Sequence, residues 1–158
     1  MCLFTKQNKA KVAKEDIVCY KVVELNFNNI FMTPFRYTKL GTNLEGLSLK
    51  AEVHSMVVNK NGELIAKDIV VPNPYGTENI YEYVVEDGAV HSYKSIDGAK
   101  KLVNFFSQGG RNGKQVFYHI FECVIPSGSE YYVGNESMFG CGAACYASDE
   151  IKFIKEIQ

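Results

Sequence analysis

Tryptophan is absent from this chain of 158 residues, and arginine occurs only as Arg36 and Arg111. Two arginines leave little capacity for the bidentate phosphate contacts that many phosphate-binding enzymes use. The sequence also lacks a Walker-type phosphate loop, a G-x-G-x-x-G turn after a strand, an H-E-x-x-H helix and a G-x-S-x-G elbow. These absences remove the usual support for nucleotide hydrolases, dehydrogenases, zinc proteases and α/β-hydrolases.

Long apolar runs are missing as well. The run at residues 2–4 ends at a lysine-rich stretch, and no later segment approaches the roughly 18 apolar residues of a membrane span. We therefore predict a cytoplasmic protein that contacts no membrane. Its five cysteines, an odd number, are predicted to be free thiols. The net charge of -1 argues against a nucleic-acid partner.

The composition of the chain predicts one β-rich domain. Hydrophobic residues make up 46% of the sequence, and ten tyrosines and ten phenylalanines favour strands. The length suits a single core. We predict a basic, partly mobile arm at residues 1–15 and a globular domain at 16–158, because Lys6, Lys9, Lys11 and Lys14 precede the first acid.

Several segments have strand patterns. Residues 17–25 are rich in valine, isoleucine and tyrosine without a breaker, which predicts a buried strand. Asn61-Gly62 predicts a hairpin between strands near 49–58 and 63–71, and Asp87-Gly88 predicts a second hairpin. In the last strand, Ile151, Phe153 and Ile157 have mostly even spacing, which predicts a half-buried strand with these residues on the buried face. Ile154 interrupts this alternation and predicts a bulge or burial on both faces.

One segment has the pattern of an α-helix. Ser95 can cap its amino end, and apolar residues follow at spacings of three and four up to Phe106, before Gly109 and Gly110. The predicted fold class is therefore α+β: a mostly antiparallel β-sheet with one main α-helix packed on it.

Four residues could form a metal site. His119 and Cys123 lie on one face of a predicted strand, and Cys141 and Cys145 lie in a corner rich in glycine and alanine. Zinc needs four such ligands, but neither pair has the two-residue spacing of a zinc ribbon. We therefore predict no metal and no cofactor, and small zinc-binding protein stays an alternative hypothesis.

Parts of the sequence resemble a known group of proteins. The stretches IVCYKVV, GAVHSYKSIDGAKK, CVIPSGSEYYVGN and CYASDEIKFI are similar to small uncharacterised proteins encoded in bacterial and bacteriophage genomes. The resemblance covers about half of the chain and omits the region around residues 42–80. It implies an intracellular, single-domain, β-rich protein and carries no established activity.

The order of parts also resembles ADP-ribosyltransferase-like folds. A Tyr-Lys first strand, a strand–helix junction with tyrosine and a final strand after IPSGS occur in that order. This likeness implies an NAD-using enzyme in which Arg36 or His91, Tyr93 and Glu150 carry catalysis. None of these residues lies in a diagnostic motif, so the enzyme is the alternative hypothesis.

Our leading hypothesis from the sequence is a non-catalytic binding or interaction protein. It would act as a phage-associated accessory factor on a host protein, or bind a second copy of itself. Tyrosine is enriched at protein interfaces. The predicted contact residues are Tyr75, Tyr81, Tyr83, Tyr131 and Tyr132.

Overall fold

A computed structural model describes residues 3–7, 9–34, 38–51, 57–58, 64–65, 70–72, 83–85, 89–108, 117–136 and 142–158. These residues form an antiparallel sheet structure with a single helix, which confirms that part of the predicted fold class. Within these ranges, no helix is both long enough and apolar enough to span a bilayer.

The strands are numbered in chain order. The strands before the helix are β1 (Leu3–Thr5), β2 (Lys11–Val12), β3 (Ile17–Leu25), β4 (Phe31–Met32), β5 (Lys39–Gly41), β6 (Ser48–Lys50), β7 (Val57–Val58), β8 (Leu64–Ile65), β9 (Val70–Pro72), β10 (Tyr83–Val85) and β11 (Val90–Tyr93). The helix α1 (Ile96–Gln108) is followed by β12 (Phe117–Ile125), β13 (Glu130–Glu136), β14 (Ala144–Ser148) and β15 (Glu150–Glu156).

Among the described residues, thirteen strands belong to one sheet. Its main path runs in the order β6-β15-β12-β3-β11-β14-β13-β1-β10-β9, while β2 pairs with β13, and β4 and β5 extend from the end of β3. The centre is the long pair β3 and β12, which stays in register from Ile17 opposite Ile125 to Leu25 opposite Phe117. The predicted strand at residues 17–25 is confirmed with the same bounds.

Helix α1 forms where the Ser95 cap and the regular spacing of apolar residues predict it. The side-chain oxygen of Ser95 accepts a hydrogen bond from the Gly98 N–H at 3.2 Å, and the Ser95 carbonyl accepts one from the Ala99 N–H at 3.3 Å. Ala99, Leu102 and Phe106 are buried on one side of the helix, against the sheet. Propensity, capping and burial agree over this segment, and for that reason its position could be predicted.

Both faces of the sheet are covered by packed side chains. Successive residues on a strand point to opposite faces, and Val22 and Val23 accordingly belong to different clusters. The helix-side core contains Leu3, Val22, Val85, Tyr93, Ala99, Leu102, Phe106, Ile120, Tyr132, Ala143, Cys145 and Ala147. The second core contains Ala13, Cys19, Val23, Phe31, Leu44, Val90, Phe121, Cys123, Ile125, Tyr146, Ile151 and Phe153.

The two predicted hairpins have different outcomes. Strands β7 and β8 pair antiparallel around the predicted turn, although Asn61 and Gly62 lie outside the described residues. At their outer ends the two predicted strands have other partners: β6 pairs with β15, and β9 pairs with β10.

Asp87 and Gly88 lie outside the described residues, but the predicted pairing of the strands beside them is wrong: β10 pairs with β1 and β9, whereas β11 pairs with β14 and β3. All four residues of β11 are buried, so long-range pairing in the sheet outweighs the local turn preference.

The closing strand contains the bulge that Ile154 predicted. Lys155 pairs with Glu122 and Phe153 pairs with the next residue of β12, which leaves Ile154 as the extra residue. Beyond this register shift Ile157 is exposed, so its predicted place on the buried face is wrong.

The amino-terminal segment contributes two short strands, β1 and β2, to the sheet. Leu3 and Thr5 are fully buried, and β1 lies between β13 and β10. Between β1 and β2, two side chains make the hydrogen bonds to the backbone of β13. The Thr5 hydroxyl donates to the Val133 carbonyl at 2.7 Å, and the Val133 N–H donates to Gln7 Oε1 at 2.7 Å. The mobility predicted for residues 1–15 stays a prediction.

Candidate functional site

Three phenylalanines are exposed at the end of the molecule where β3 ends and β12 begins. Phe27 is 71% exposed, Phe117 is 61% exposed and Phe105 is 44% exposed. We call these three residues the aromatic end. Most large apolar side chains of the described residues are instead buried in the two cores.

The sheet places Phe117 beside two other apolar residues. Phe31 pairs with Leu25, and Leu25 pairs with Phe117, so the three residues form a row across β4, β3 and β12. Residues directly opposite each other in antiparallel strands share a face. Phe31 and Leu25 pack into the second core, whereas Phe117 ends the row with its ring mostly in solvent.

Phe27 lies in the turn that joins β3 to β4. Asn26 Oδ1 accepts hydrogen bonds from the Asn28 N–H at 2.9 Å and from the Ile30 N–H at 3.0 Å. Asn29 has a φ of 58°, a conformation that asparagine tolerates better than most residues. The asparagine-rich sequence therefore fixes the turn, and the turn holds the Phe27 ring outside the core.

A histidine–carboxylate pair lies on the same face as Phe117. His119 follows Phe117 by two residues on β12, and its Nδ1 lies 2.5 Å from Oε1 of Glu156 on β15. The His119 ring also meets Phe31 edge-on, with centroids 5.3 Å apart. Both members of the pair are partly exposed, so a polar contact is available beside the aromatic surface.

The helix provides the third phenylalanine on the opposite face of the sheet. Phe106 stacks on Tyr118 with centroids 5.0 Å apart, which holds the carboxyl-terminal part of α1 against the start of β12. Phe105 touches Phe106 with centroids 6.1 Å apart and is far more exposed than its neighbour. The aromatic end therefore has an exposed ring on both sides of β12.

The predicted tyrosines are distributed differently. Tyr132 is buried in the helix-side core, and Tyr131 is half-buried, with its ring 6.0 Å from the ring of Tyr146. Tyr83 lies in β10, but its side chain, like Tyr75 and Tyr81, lies outside what the structure describes. Of the two predicted contact tyrosines with described side chains, only Tyr131 is exposed enough to contact a partner.

The candidate catalytic residues do not form an open site. His91 and Tyr93 are 4% and 2% exposed, and the Tyr93 hydroxyl donates to Oε2 of the buried Glu136 at 2.8 Å. Glu150 begins β15 and pairs with Lys50, at a different place in the sheet. Arg36 lies outside the described residues. The Tyr93–Glu136 contact links β11 to β13 across β14, which is a structural role.

The candidate metal ligands are also separated. Cys123 belongs to the second core and Cys145 to the helix-side core, on opposite faces of the sheet. His119 shares the face of Cys123, as its even spacing predicts, but it is engaged with Glu156. Cys141 lies outside the described residues. Across the described ranges, no three histidine, cysteine or acidic side chains are grouped as a metal site.

No known protein family, curated protein or solved structure shows significant similarity to this chain.

The aromatic end was missed by sequence reasoning. Phe27 stands in the polar stretch NFNN, where an isolated aromatic residue is the one available hint. Phe117 looks like an ordinary strand residue, and only the register with Leu25 shows that it lies at the end of the paired strands. Its exposure depends on where the neighbouring strands stop, which a single sequence does not encode locally.

Proposed function

We propose that this chain is a non-catalytic binding protein that contacts a protein partner through the aromatic end. The observation that carries the proposal is the exposure of Phe27 and Phe117 at one end of the central strands. When a partner removes exposed rings from water, the free energy of the complex falls by about 25 cal/mol for each Å² of apolar surface that is buried. Aromatic residues are also enriched at protein interfaces.

The neighbouring polar groups support a protein contact surface with specificity. His119 and Glu156 can donate and accept hydrogen bonds beside the rings. Interfaces typically combine an apolar centre with such a polar rim. The partner is proposed to be a bacterial host protein, on the resemblance to bacterial and bacteriophage proteins.

The test compares two double variants in affinity capture from bacterial lysate. Phe27→Ser with Phe117→Ser removes the two more exposed rings of the aromatic end. Val12→Ser with Val18→Ser is the matched control, because these valines are also exposed but lie in β2 and in the first half of β3. Captured proteins are quantified by mass spectrometry.

We expect the aromatic variant to capture at least about tenfold less of a specific partner protein than the wild type does. The reason is that contact residues at the centre of an interface contribute about 2 kcal/mol or more each to the binding free energy. The valine variant should capture it like the wild type. Equal capture by all three proteins, or equal loss in both variants, would refute the aromatic end as the binding surface.

The NAD-dependent alternative has a separate test. His91 and Tyr93 are buried, so a dinucleotide has no access to them without opening the helix-side core. We expect calorimetry to show no heat of binding at millimolar NAD. A saturable signal that Tyr93→Phe abolishes would favour the enzyme, and stoichiometric zinc in purified protein would favour the metal-binding alternative.

A further inference from the structure

Two cysteines are direct neighbours across the central strands. Cys19 of β3 pairs with Cys123 of β12 in the antiparallel register, and both side chains belong to the second core. Directly opposite residues in antiparallel strands have Cα atoms about 4.5–5.5 Å apart. A disulfide spans Cα distances of about 4.4–6.8 Å. The register therefore places the two cysteines at a Cα separation that a disulfide can span.

The surroundings of the pair are partly polar. Both cysteines are free and fully buried, and the Ser92 hydroxyl lies beside the thiol of Cys19. Lys21 lies two residues along β3 and donates to the His91 carbonyl at 2.7 Å. Its positive charge lowers the pKa of both thiols but does not outweigh burial, which raises the pKa of Cys19 to about 11 and that of Cys123 further.

We propose that Cys19 and Cys123 form a redox-responsive pair that a peroxide converts to a disulfide between β3 and β12. The proposal does not depend on the binding function. It assigns a chemical role to two thiols that otherwise serve as small apolar residues in the core.

The reaction balances with one peroxide molecule. Because both side chains are buried, the reaction requires an opening of the second core that admits peroxide to Cys19. The Cys19 thiolate then attacks a peroxide oxygen, the O–O bond breaks, and the displaced hydroxide takes up the proton that the thiol released, which gives a sulfenic acid and one water. The Cys123 thiolate then attacks the Cys19 sulfur and displaces hydroxide, which takes up a proton and leaves as the second water. Two thiols are oxidised to one disulfide while hydrogen peroxide is reduced to two waters. A dithiol reductant reverses the conversion.

The disulfide would fix the strand pair that supports the aromatic end. Leu25 and Phe117 lie six residues from the cysteines along the same two strands. The bond would join residues far apart in sequence and thereby restrict the unfolded chain strongly. Oxidation is thus expected to stabilise the whole sheet.

The test oxidises the full-length protein with hydrogen peroxide and maps its disulfides by mass spectrometry after proteolysis. The expected product has lost about 2 Da and contains the Cys19 peptide linked to the Cys123 peptide, and dithiothreitol restores both thiols. Its Tm should rise by at least about 5 °C. Cys123→Ala should abolish the link, whereas Cys145→Ala, a buried cysteine of the other core, should retain it.

The pH dependence gives a second measurement on the unmodified protein. The thiolate fraction rises about tenfold per pH unit below the thiol pKa, so the rate of oxidation should rise about a hundredfold from about pH 7 to pH 9. Peroxide treatment that leaves Cys19 and Cys123 reduced, links only other cysteines, or gives sulfinic acid at Cys19 without the link would overturn the proposal.

Discussion

At the scale of single residues, Gly134 shows how closely β1 approaches β13. This residue lies in β13 opposite Cys145, and the backbone of Phe4 in the neighbouring strand β1 lies close to it. A Cβ atom at this position would lie within 1.9 Å of the Phe4 carbonyl oxygen. The close approach of the amino-terminal strand therefore requires a glycine here.

Gly134→Ala should destabilise the fold by about 3 kcal/mol or more, because the added Cβ would clash with backbone atoms of β1. These atoms are held in place because β1 is paired with a strand on each side. The measurement is urea unfolding followed by circular dichroism.

Gly128→Ala is the matched control for this substitution. Gly128 has a φ of 88°, and a Cβ atom added there would meet no other atom within 4 Å. The change should therefore cost only about 1–2 kcal/mol of backbone strain. A Gly134→Ala protein as stable as the wild type would show that the Phe4 backbone does not approach Gly134 this closely.

At the scale of elements, the helix could be predicted and several strand pairings could not. Residues 96–108 combine a serine cap with a regular apolar stripe, and both features are local in sequence. The partners of β11 are β3 and β14, which lie on either side of it in the sheet but far away along the chain. The turn preference of Asp87-Gly88 carries no information about these long-range partners, and the hairpin predicted from it was wrong.

The helix offers a pair of adjacent phenylalanines for a direct test. Phe106→Ala should cost about 3–5 kcal/mol, since the ring is buried and stacks on Tyr118. Phe105→Ala should cost about 1 kcal/mol or less, because its ring is largely in solvent. Urea unfolding of the two variants measures the difference. An equal loss in the free energy of unfolding for both variants would contradict the orientation of α1 on the sheet.

At the scale of the whole molecule, the amino-terminal residues contribute to the core. The four lysines at positions 6 to 14 suggested a solvated arm, and they are indeed exposed. The short apolar run before them, however, contains Leu3, which is fully buried in the helix-side core. A three-residue strand is too short to give a periodic pattern, so its place in the sheet could not be inferred from the sequence.

Leu3→Ala should therefore destabilise the protein by about 2–5 kcal/mol, a large part of the stability of an ordinary domain. Lys6→Ala, three residues later and exposed, should change the free energy of unfolding by no more than about 0.5 kcal/mol. Thermal unfolding of both variants provides the comparison. A neutral Leu3→Ala would place the segment outside the core.

The candidate site shows the same division between local and long-range information. The even spacing of His119 and Cys123 correctly predicted that they share a face. The pairing of Cys123 with Cys19 and the engagement of His119 by Glu156 both depend on the register of strands that are distant in sequence. Composition and spacing therefore identified residues capable of chemistry, while the register determined which of them meet.

The hydrogen bonds between the backbone of Val133 and the side chains of Thr5 and Gln7 have a consequence for self-association. They occupy the backbone N–H and C=O of β13 at the place between its pairings with β1 and β2. An open position of this kind would offer a template for a strand of another molecule and promote edge-to-edge aggregation. Two polar side chains thus close this position of β13 to a strand of another molecule.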